Sequence, residues 1–307
     1  MAGLQSMTNV DGVITPTADA RVPVLDRGFL YGDSIYEVFR TYEGVPLFYD
    51  EHWARLENSA SLIRLKIGLS LAEVTEAIRA TVAATGAPRS RTDVYVRYVV
   101  TRGEGPVDLF PSPDLKSRYV IIVRSVPNWG AELYARGVRV AIAQTLRNPS
   151  RALDPNIKGG NYLNNVLGVM DARAVGADDC IMLNEAGFVT EASNSNVFFV
   201  VDDRLVTPGQ TAANLRGLTK AAIHEACKAR GLESDEVDVA AADLTRATEC
   251  FVSSATREVM PVASLRLLDG SMIAFPEGGG PVTRRVAAYY KEYVAEYVRA
   301  HAHLSLF

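Results

Sequence analysis

The sequence predicts an α+β protein of two domains, on three observations. The chain has 307 residues, and roughly 100–200 residues make a domain. Its β-branched apolar runs gather into meanders. The amphipathic stretches between them do not alternate one-for-one with those runs, as a regular βαβ chain would require.

In the first part, Tyr36 to Thr41 reads as a strand. Val45 to Tyr49 reads as its continuation after a turn at Glu43-Gly44. Glu51 to Ile63 carries Trp53, Leu56, Ala60 and Ile63 near a 3.6-residue period and reads as a helix. Ser70, with Glu73 three residues on, has the spacing of a capping box for a helix running to about Thr85. Val94 to Val100 and Arg118 to Val123 are strand-like. The break at Pro127-Asn128-Trp129-Gly130 marks a connection at 126–136. It separates a small amino-terminal α/β domain (1–125) from a larger, strand-rich carboxy-terminal domain with helices (137–307).

The larger domain opens with a strand at Val138 to Gln144. A helix from Asn161 to Ala174 follows, with Leu163, Val166, Leu167 and Met170 on one face. A meander then runs through Cys180–Leu183, Phe188–Glu191, Val197–Val201 and Leu205–Thr207. A helix at Leu218 to Arg230 and a strand at Cys250 to Ser253 complete the core. The last helix, Val282 to Arg299, has an apolar side of Val286, Tyr289, Tyr290, Tyr293 and Tyr297.

Composition narrows the function. Apolar residues at 48% and charged residues at 22% are the balance of a globular chain. A net charge of −4 argues against a general nucleic-acid binder, which needs clustered cations to neutralise phosphates. Three cysteines, Cys180, Cys227 and Cys250, have no C-x-x-C spacing, so free thiols in the cytoplasm are expected. No apolar run approaches the roughly 20 residues of a membrane span, and Met1 to Gly12 lacks the charged and apolar regions of a signal peptide. His301-x-His303 reads as a frayed tail rather than a metal site. Gly278-Gly279-Gly280 reads as a flexible loop rather than a phosphate cradle.

Only six lysines stand against 26 arginines, so a reactive lysine has few candidates. Lys158 lies in Asn156-Ile157-Lys158-Gly159-Gly160-Asn161-Tyr162, between a proline-containing loop and a helix start. A desolvated lysine amine can form a Schiff base with an aldehyde; a solvated loop lysine is the plainer reading. Asn214 to Thr219 opens a helix after a loop, where free N–H groups bind phosphate or simply take a cap. Ser253-Ser254-Ala255-Thr256 follows a strand and offers hydroxyls, or is an ordinary turn. Glu191 at a strand end can face a protonated ring nitrogen, or water.

Four stretches together resemble a family. Asp26 to Glu37, Asp50 to Leu56, Lys158 to Asn165 and Thr190 to Phe198 are similar to the class IV (fold-type IV) pyridoxal-phosphate enzymes. That family includes branched-chain aminotransferases, D-amino-acid transaminases, (R)-amine transaminases and aminodeoxychorismate lyase. The resemblance spans about Val13 to Asp269. It implies that Lys158 is the catalytic, cofactor-bound lysine and proton shuttle, and that Glu191 pairs with the pyridine nitrogen. Tyr162, on the new helix, would face the ring hydroxyl. Arg55, with Leu218 and Thr219, would hold the phosphate. Asn196, Ala255 and Thr256 complete the implied cofactor set; the family often has threonine where this chain has Ala255.

For substrate, Tyr31, Tyr95 and Arg97 resemble the pocket of branched-chain aminotransferases, and arginine with tyrosines suits a carboxylate. A structural ion pair is an equal reading of Arg97 on its own. Tyr36 and Val38 stand where branched-chain enzymes have Phe and Gly, and look more like the D-amino-acid enzymes. Those enzymes' Arg-x-His trap is missing, since Gly103 to Phe110 holds no basic residue. The resemblance thus implies ping-pong transfer from a branched-chain L-amino acid to a 2-oxo acid such as 2-oxoglutarate. D-amino-acid or (R)-amine transamination is the alternative, and a lyase releasing pyruvate is a further one. It also implies a homodimer, with the site between the domains and closed by a partner loop.

Overall fold

The computed structural model describes residues 4–307; Met1–Gly3, at the start of the expected amino-terminal domain, lie outside the described residues. The chain is α+β and separates into two compact units. One holds the described residues up to Pro127, together with Ile157–Asn161 and Glu296–Phe307; the other holds Asn128–Asn156 and Tyr162–Ala295.

In the first unit the elements run β1 (Met7–Val10), β2 (Val13–Pro16), α1 (Arg27–Tyr31), β3 (Ser34–Tyr42), β4 (Val45–Pro46), α2 (Tyr49–Leu62), α3 (Leu71–Ala84), α4 (Ala87–Ser90), β5 (Val94–Thr101) and β6 (Arg118–Ser125). They form a six-stranded sheet in the order β2-β1-β6-β5-β3-β4. The expected strand at Val45 to Tyr49 stops after Pro46. Phe48 turns left-handed at φ 55° and releases the chain into α2. The capping box of α3 is present: Ser70 N–H donates to Glu73 Oε2 at 2.8 Å, and Glu73 N–H to Ser70 Oγ. Strand alternation sends Ile35, Phe39, Val94, Val96, Tyr98 and Val100 into one core with Leu56, Val74 and Ile78 from the helices.

The carboxy-terminal tail is docked, not frayed. Leu306 is buried, and its N–H donates to Gly44 O at 2.9 Å. Arg79 donates to Ser305 O at 2.7 Å. His301 stacks on Tyr297 at 3.8 Å.

The second unit continues with α5 (Ala131–Arg136), β7 (Val138–Ile142), α6 (Leu163–Ala174), β8 (Asp179–Leu183), β9 (Val189–Ala192), β10 (Asn196–Val201), β11 (Arg204–Pro208), α7 (Leu218–Lys228), β12 (Ser234–Val237), β13 (Ala247–Ser254), β14 (Glu258–Arg266), β15 (Met272–Ala274) and α8 (Pro281–Ala300), whose last turns lie in the first unit. Its nine-stranded sheet is ordered β12-β11-β10-β13-β14-β7-β8-β9, with β15 on β14. The β7–β8, β7–β14 and β11–β12 pairs are parallel.

Helix α6 reverses the expected use of its faces. Leu163 and Met170 are 67% and 61% exposed, and Val166 and Leu167 are exposed beside them. The buried side is Asn165, Gly168 and Ala172. Small residues let the helix come close to the sheet, where a Cβ on Gly168 would stand 3.1 Å from Cys180 Sγ. The Gly278–Gly280 loop is not a loose spacer either. A Cβ on Gly280 would fall 2.2 Å from Glu249 Cδ, and buried Glu249 accepts the Val282 and Thr283 N–H groups that open α8.

Among the described residues no helix is long and apolar enough to cross a membrane. All three cysteines are buried free thiols. Among the described residues no cluster of three or more His, Cys, Asp or Glu is placed to hold a metal ion.

Candidate active site

Lys158 is fixed by the backbone on either side of it. Where β3 begins, its outer edge lacks a strand neighbour, and residues 158–160 fill it. Tyr36 N–H donates to Lys158 O at 2.9 Å, and Gly160 N–H to Ser34 O at 2.9 Å. Ile35 and Gly159 form an antiparallel bridge. Lys158 N–H donates to Ser59 Oγ on α2 at 3.1 Å. The glycines are required by this contact: a Cβ on Gly160 would lie 2.3 Å from Ser34 Oγ. So anchored, Lys158 places Nζ 3.5 Å from Tyr36 Oη and 4.6 Å from the ring centre.

Four of the expected substrate residues share one face of the first unit's sheet. Val38 pairs with Arg97, and Tyr36 and Tyr95 sit at positions of the same parity on β3 and β5. The Arg97 guanidinium lies 3.7 Å from the Tyr36 ring centre, a cation–π contact. Tyr95 carries Arg124 over its ring at 4.9 Å. Tyr31, on α1, is stacked by Arg27 at 4.8 Å. That short helix is capped by Asp26, which accepts Gly28 N–H at 2.7 Å, and stopped by left-handed Gly32 at φ 67°.

Arg55 faces the other side of β3. Its Nε and Nη2 each reach a Glu37 carboxylate oxygen at 2.7 Å, and His52 Nδ1 meets Glu37 Oε2 at 2.6 Å. Burial would raise the Glu37 carboxyl, but the Arg55 charge and hydrogen bonds, with His52, hold it well below the usual carboxylate range. Burial depresses the His52 imidazole against the pull of Glu37. Nothing local in the sequence shows that the Glu37 carboxylate on a strand meets His52 on a helix 15 residues later.

The second unit gathers the remaining candidates. Glu191, at the end of β9, is paired with Arg147 at 2.9 Å and accepts Leu215 N–H at 3.0 Å. Arg147 also donates to Asn165 Oδ1 at 3.1 Å, and Asn165 donates to Ser193 O at 2.7 Å. Nothing in the sequence marks Arg147, which lies in an irregular loop with no periodicity to read. Tyr162 is the residue before α6 rather than within it. Asn196 Nδ2 donates to Leu215 O at 3.0 Å, and its Oδ1 lies 1.8 Å from where a Cβ on Gly217 would be. Glycine alone fits there. Leu218 and buried Thr219 then open α7, whose amino terminus has no side-chain cap. Asn196 pairs with Ser253 across β10 and β13, so the turn carrying Ala255 and Thr256 adjoins that helix start.

The Amino-transferase class IV family model matches residues 34–265. The chain belongs to the class IV aminotransferase family. This class IV aminotransferase is 31% identical to a putative branched-chain-amino-acid aminotransferase of Methanocaldococcus jannaschii, over 92% of this chain and 94% of that one. It is 30% identical to a D-alanine aminotransferase of Bacillus licheniformis, over 90% and 93%. The branched-chain amino acid aminotransferase of Thermobaculum terrenum, solved in its PLP-form, superposes with a TM-score of 0.81 at 26% identity, covering 96% of this chain and 96% of that one.

The donor set suits a phosphorylated, nitrogen-containing ring. The uncapped start of α7 can receive an anion. Ser253 Oγ beside it is buried without a hydrogen-bond partner. Glu191 presents a carboxylate held by a cation and a backbone N–H.

Proposed function

We propose that this aminotransferase uses pyridoxal 5'-phosphate to move the amino group of a branched-chain L-amino acid to a 2-oxo acid such as 2-oxoglutarate. The observation that carries the reading is Lys158, pinned to β3 with its amine 3.5 Å from Tyr36 Oη. When bound, the cofactor supplies an aldehyde for the amine and a ring that takes up electrons. Lys158 Nζ, as the free amine, takes the proton from the donor's α-carbon and later returns one. Tyr36 Oη steadies that amine between the two transfers. Glu191, paired with Arg147, would accept a hydrogen bond from a protonated ring nitrogen. Thr219, Leu218, Ala255 and Thr256 would hold the phosphate end of the cofactor. Arg97 would offer N–H donors to a substrate carboxylate on the face that carries Tyr36, Val38 and Tyr95, and Tyr31 is a further candidate for the substrate.

D-amino-acid transamination is the second reading. The Tyr36 and Val38 pair and the D-alanine aminotransferase relative favour it. Holoenzyme mixed separately with L-leucine, D-alanine and (R)-1-phenylethylamine decides between them. L-leucine is expected to bleach the visible cofactor band fastest. Faster bleaching by either of the others replaces the L-specific reading, and pyruvate released without a 2-oxo acid acceptor points to a lyase. Lys158→Ala is expected to lose the band; an unchanged visible spectrum rejects the lysine.

The enzyme is also proposed to be a cytoplasmic homodimer. The apolar stripe Leu163, Val166, Leu167 and Met170 on α6 is exposed, and Val107, Leu109 and Phe110 are exposed at 73–78%. Patches of this kind are typically covered by a partner. Light scattering tests the stoichiometry, and a monomer at micromolar concentration rejects it.

A further inference from the structure

We infer that Arg257 is a positioning residue that shapes the phosphate-binding turn Ser253–Thr256 through a buried ion pair with Asp179. This inference rests on the cofactor reading above. Arg257 Nη1 lies 2.6 Å from Asp179 Oδ2, with side-chain exposures of only 11% and 4%. The same nitrogen reaches Ser195 Oγ at 3.3 Å. Asp179 is itself anchored, since its Oδ1 accepts Cys180 N–H at 2.8 Å. The guanidinium is therefore tied to the start of β8, a strand paired on both sides, with β7 and β9.

The turn is held from a second side as well. Trp129 Nε1 donates to Thr256 O at 3.0 Å, and Tyr134 Oη donates to Arg257 O at 3.0 Å. Arg257 N–H donates back to Ser254 Oγ at 3.3 Å. The Trp129 ring also lies 5.0 Å from the guanidinium. Two consecutive carbonyls are thus committed to residues 129 and 134, and the side chain to Asp179. With those orientations fixed, the turn has one shape to present beside the start of α7. Asn196 links the two, pairing with Ser253 and packing on Gly217.

Charge-assisted, desolvated contacts of this kind depend on both partners. Removing the cation leaves Asp179 buried and unpaired and lets the turn relax. The effect should fall on the phosphate and spare the ring, whose candidate partners Lys158 and Glu191 are held by other residues.

The test titrates apoprotein with pyridoxal 5'-phosphate and, separately, with pyridoxal, which lacks the phosphate. Arg257→Met is expected to weaken the phosphorylated ligand about tenfold and to leave pyridoxal unchanged. Asp179→Asn should do the same, and the double variant should be no weaker than Arg257→Met alone. Arg257→Lys, which keeps a cation near Asp179, should recover most of the affinity. If Arg257→Met does not fold, Trp129→Phe removes only the indole N–H on Thr256 O, and the same selective loss is expected. Equal losses for both ligands, or no loss for either, overturn the inference while the functional reading stands. Failure of the unaltered protein to bind pyridoxal 5'-phosphate overturns both.

Discussion

Arg55 closes on Glu37 as a two-pronged fork, Nε on Oε1 and Nη2 on Oε2, each at 2.7 Å. The pair joins α2 to the buried side of β3, directly behind Tyr36. Glu37 is 3% exposed, so its partners replace water entirely. Glu37→Gln keeps the shape and removes the charge. Removing one partner of such a pair destabilises by about 3–5 kcal/mol, because the other charge stays buried. Urea unfolding is expected to show a loss of that order; an unchanged midpoint would show the fork to be dispensable.

His52 gives the fold a dependence on acid. Its imidazole titrates below the ordinary 6.5 because it is buried, so the unfolded chain binds the proton more readily. Its contribution is complete above pH 6.5 and drains away as the pH falls. Glu37, held well below 4.5, acts in the same direction: its contribution is complete above 4.5 and drains at lower pH still. His52→Asn can keep a donor on Glu37 without titrating. Between about pH 7 and pH 5 the melting temperature of the unaltered protein should fall more steeply than that of the variant. Parallel curves would remove His52 from this role.

Gly160 tests the seating of the lysine segment. Gly160→Ala drives a methyl group to 2.3 Å from Ser34 Oγ, and overpacking typically destabilises by about 1–3 kcal/mol. Ser34→Ala removes the obstructing atom, so the double variant should regain most of the loss. Additive losses in the double-mutant cycle would mean the clash is elsewhere.

The thiols should be silent in the native protein. Burial pushes Cys180 up to about 12 and Cys227 up to about 11, and Cys250 well above its usual range. At pH 8 a thiolate reagent is expected to label none of them until denaturant is added, and then all three. Rapid labelling of the folded protein would contradict this burial.

Much of this protein was determined locally, and so was legible in sequence. The capping box at Ser70, the alternation of Val94 to Val100 and the glycines after Lys158 each express a rule that acts within a few residues. The roles of Lys158 and Glu191 are implied by the resemblance to the family's motifs. Tertiary structure decided what no local pattern encodes. Met7–Val10, Val13–Pro16 and Glu258–Arg266 are strands because the sheets offer them partners; β14, with Pro261 inside it, joins β13 to β7. The side of α6 that faces the sheet was set by closeness of approach rather than by hydrophobicity, so Gly168 went inward and Leu163 outward. The companions of the candidate residues, Glu37 for Arg55 and Arg147 for Glu191, are pairings across sequence distance. Charges find one another through space once the backbone is folded, and periodicity along the chain carries no record of that meeting.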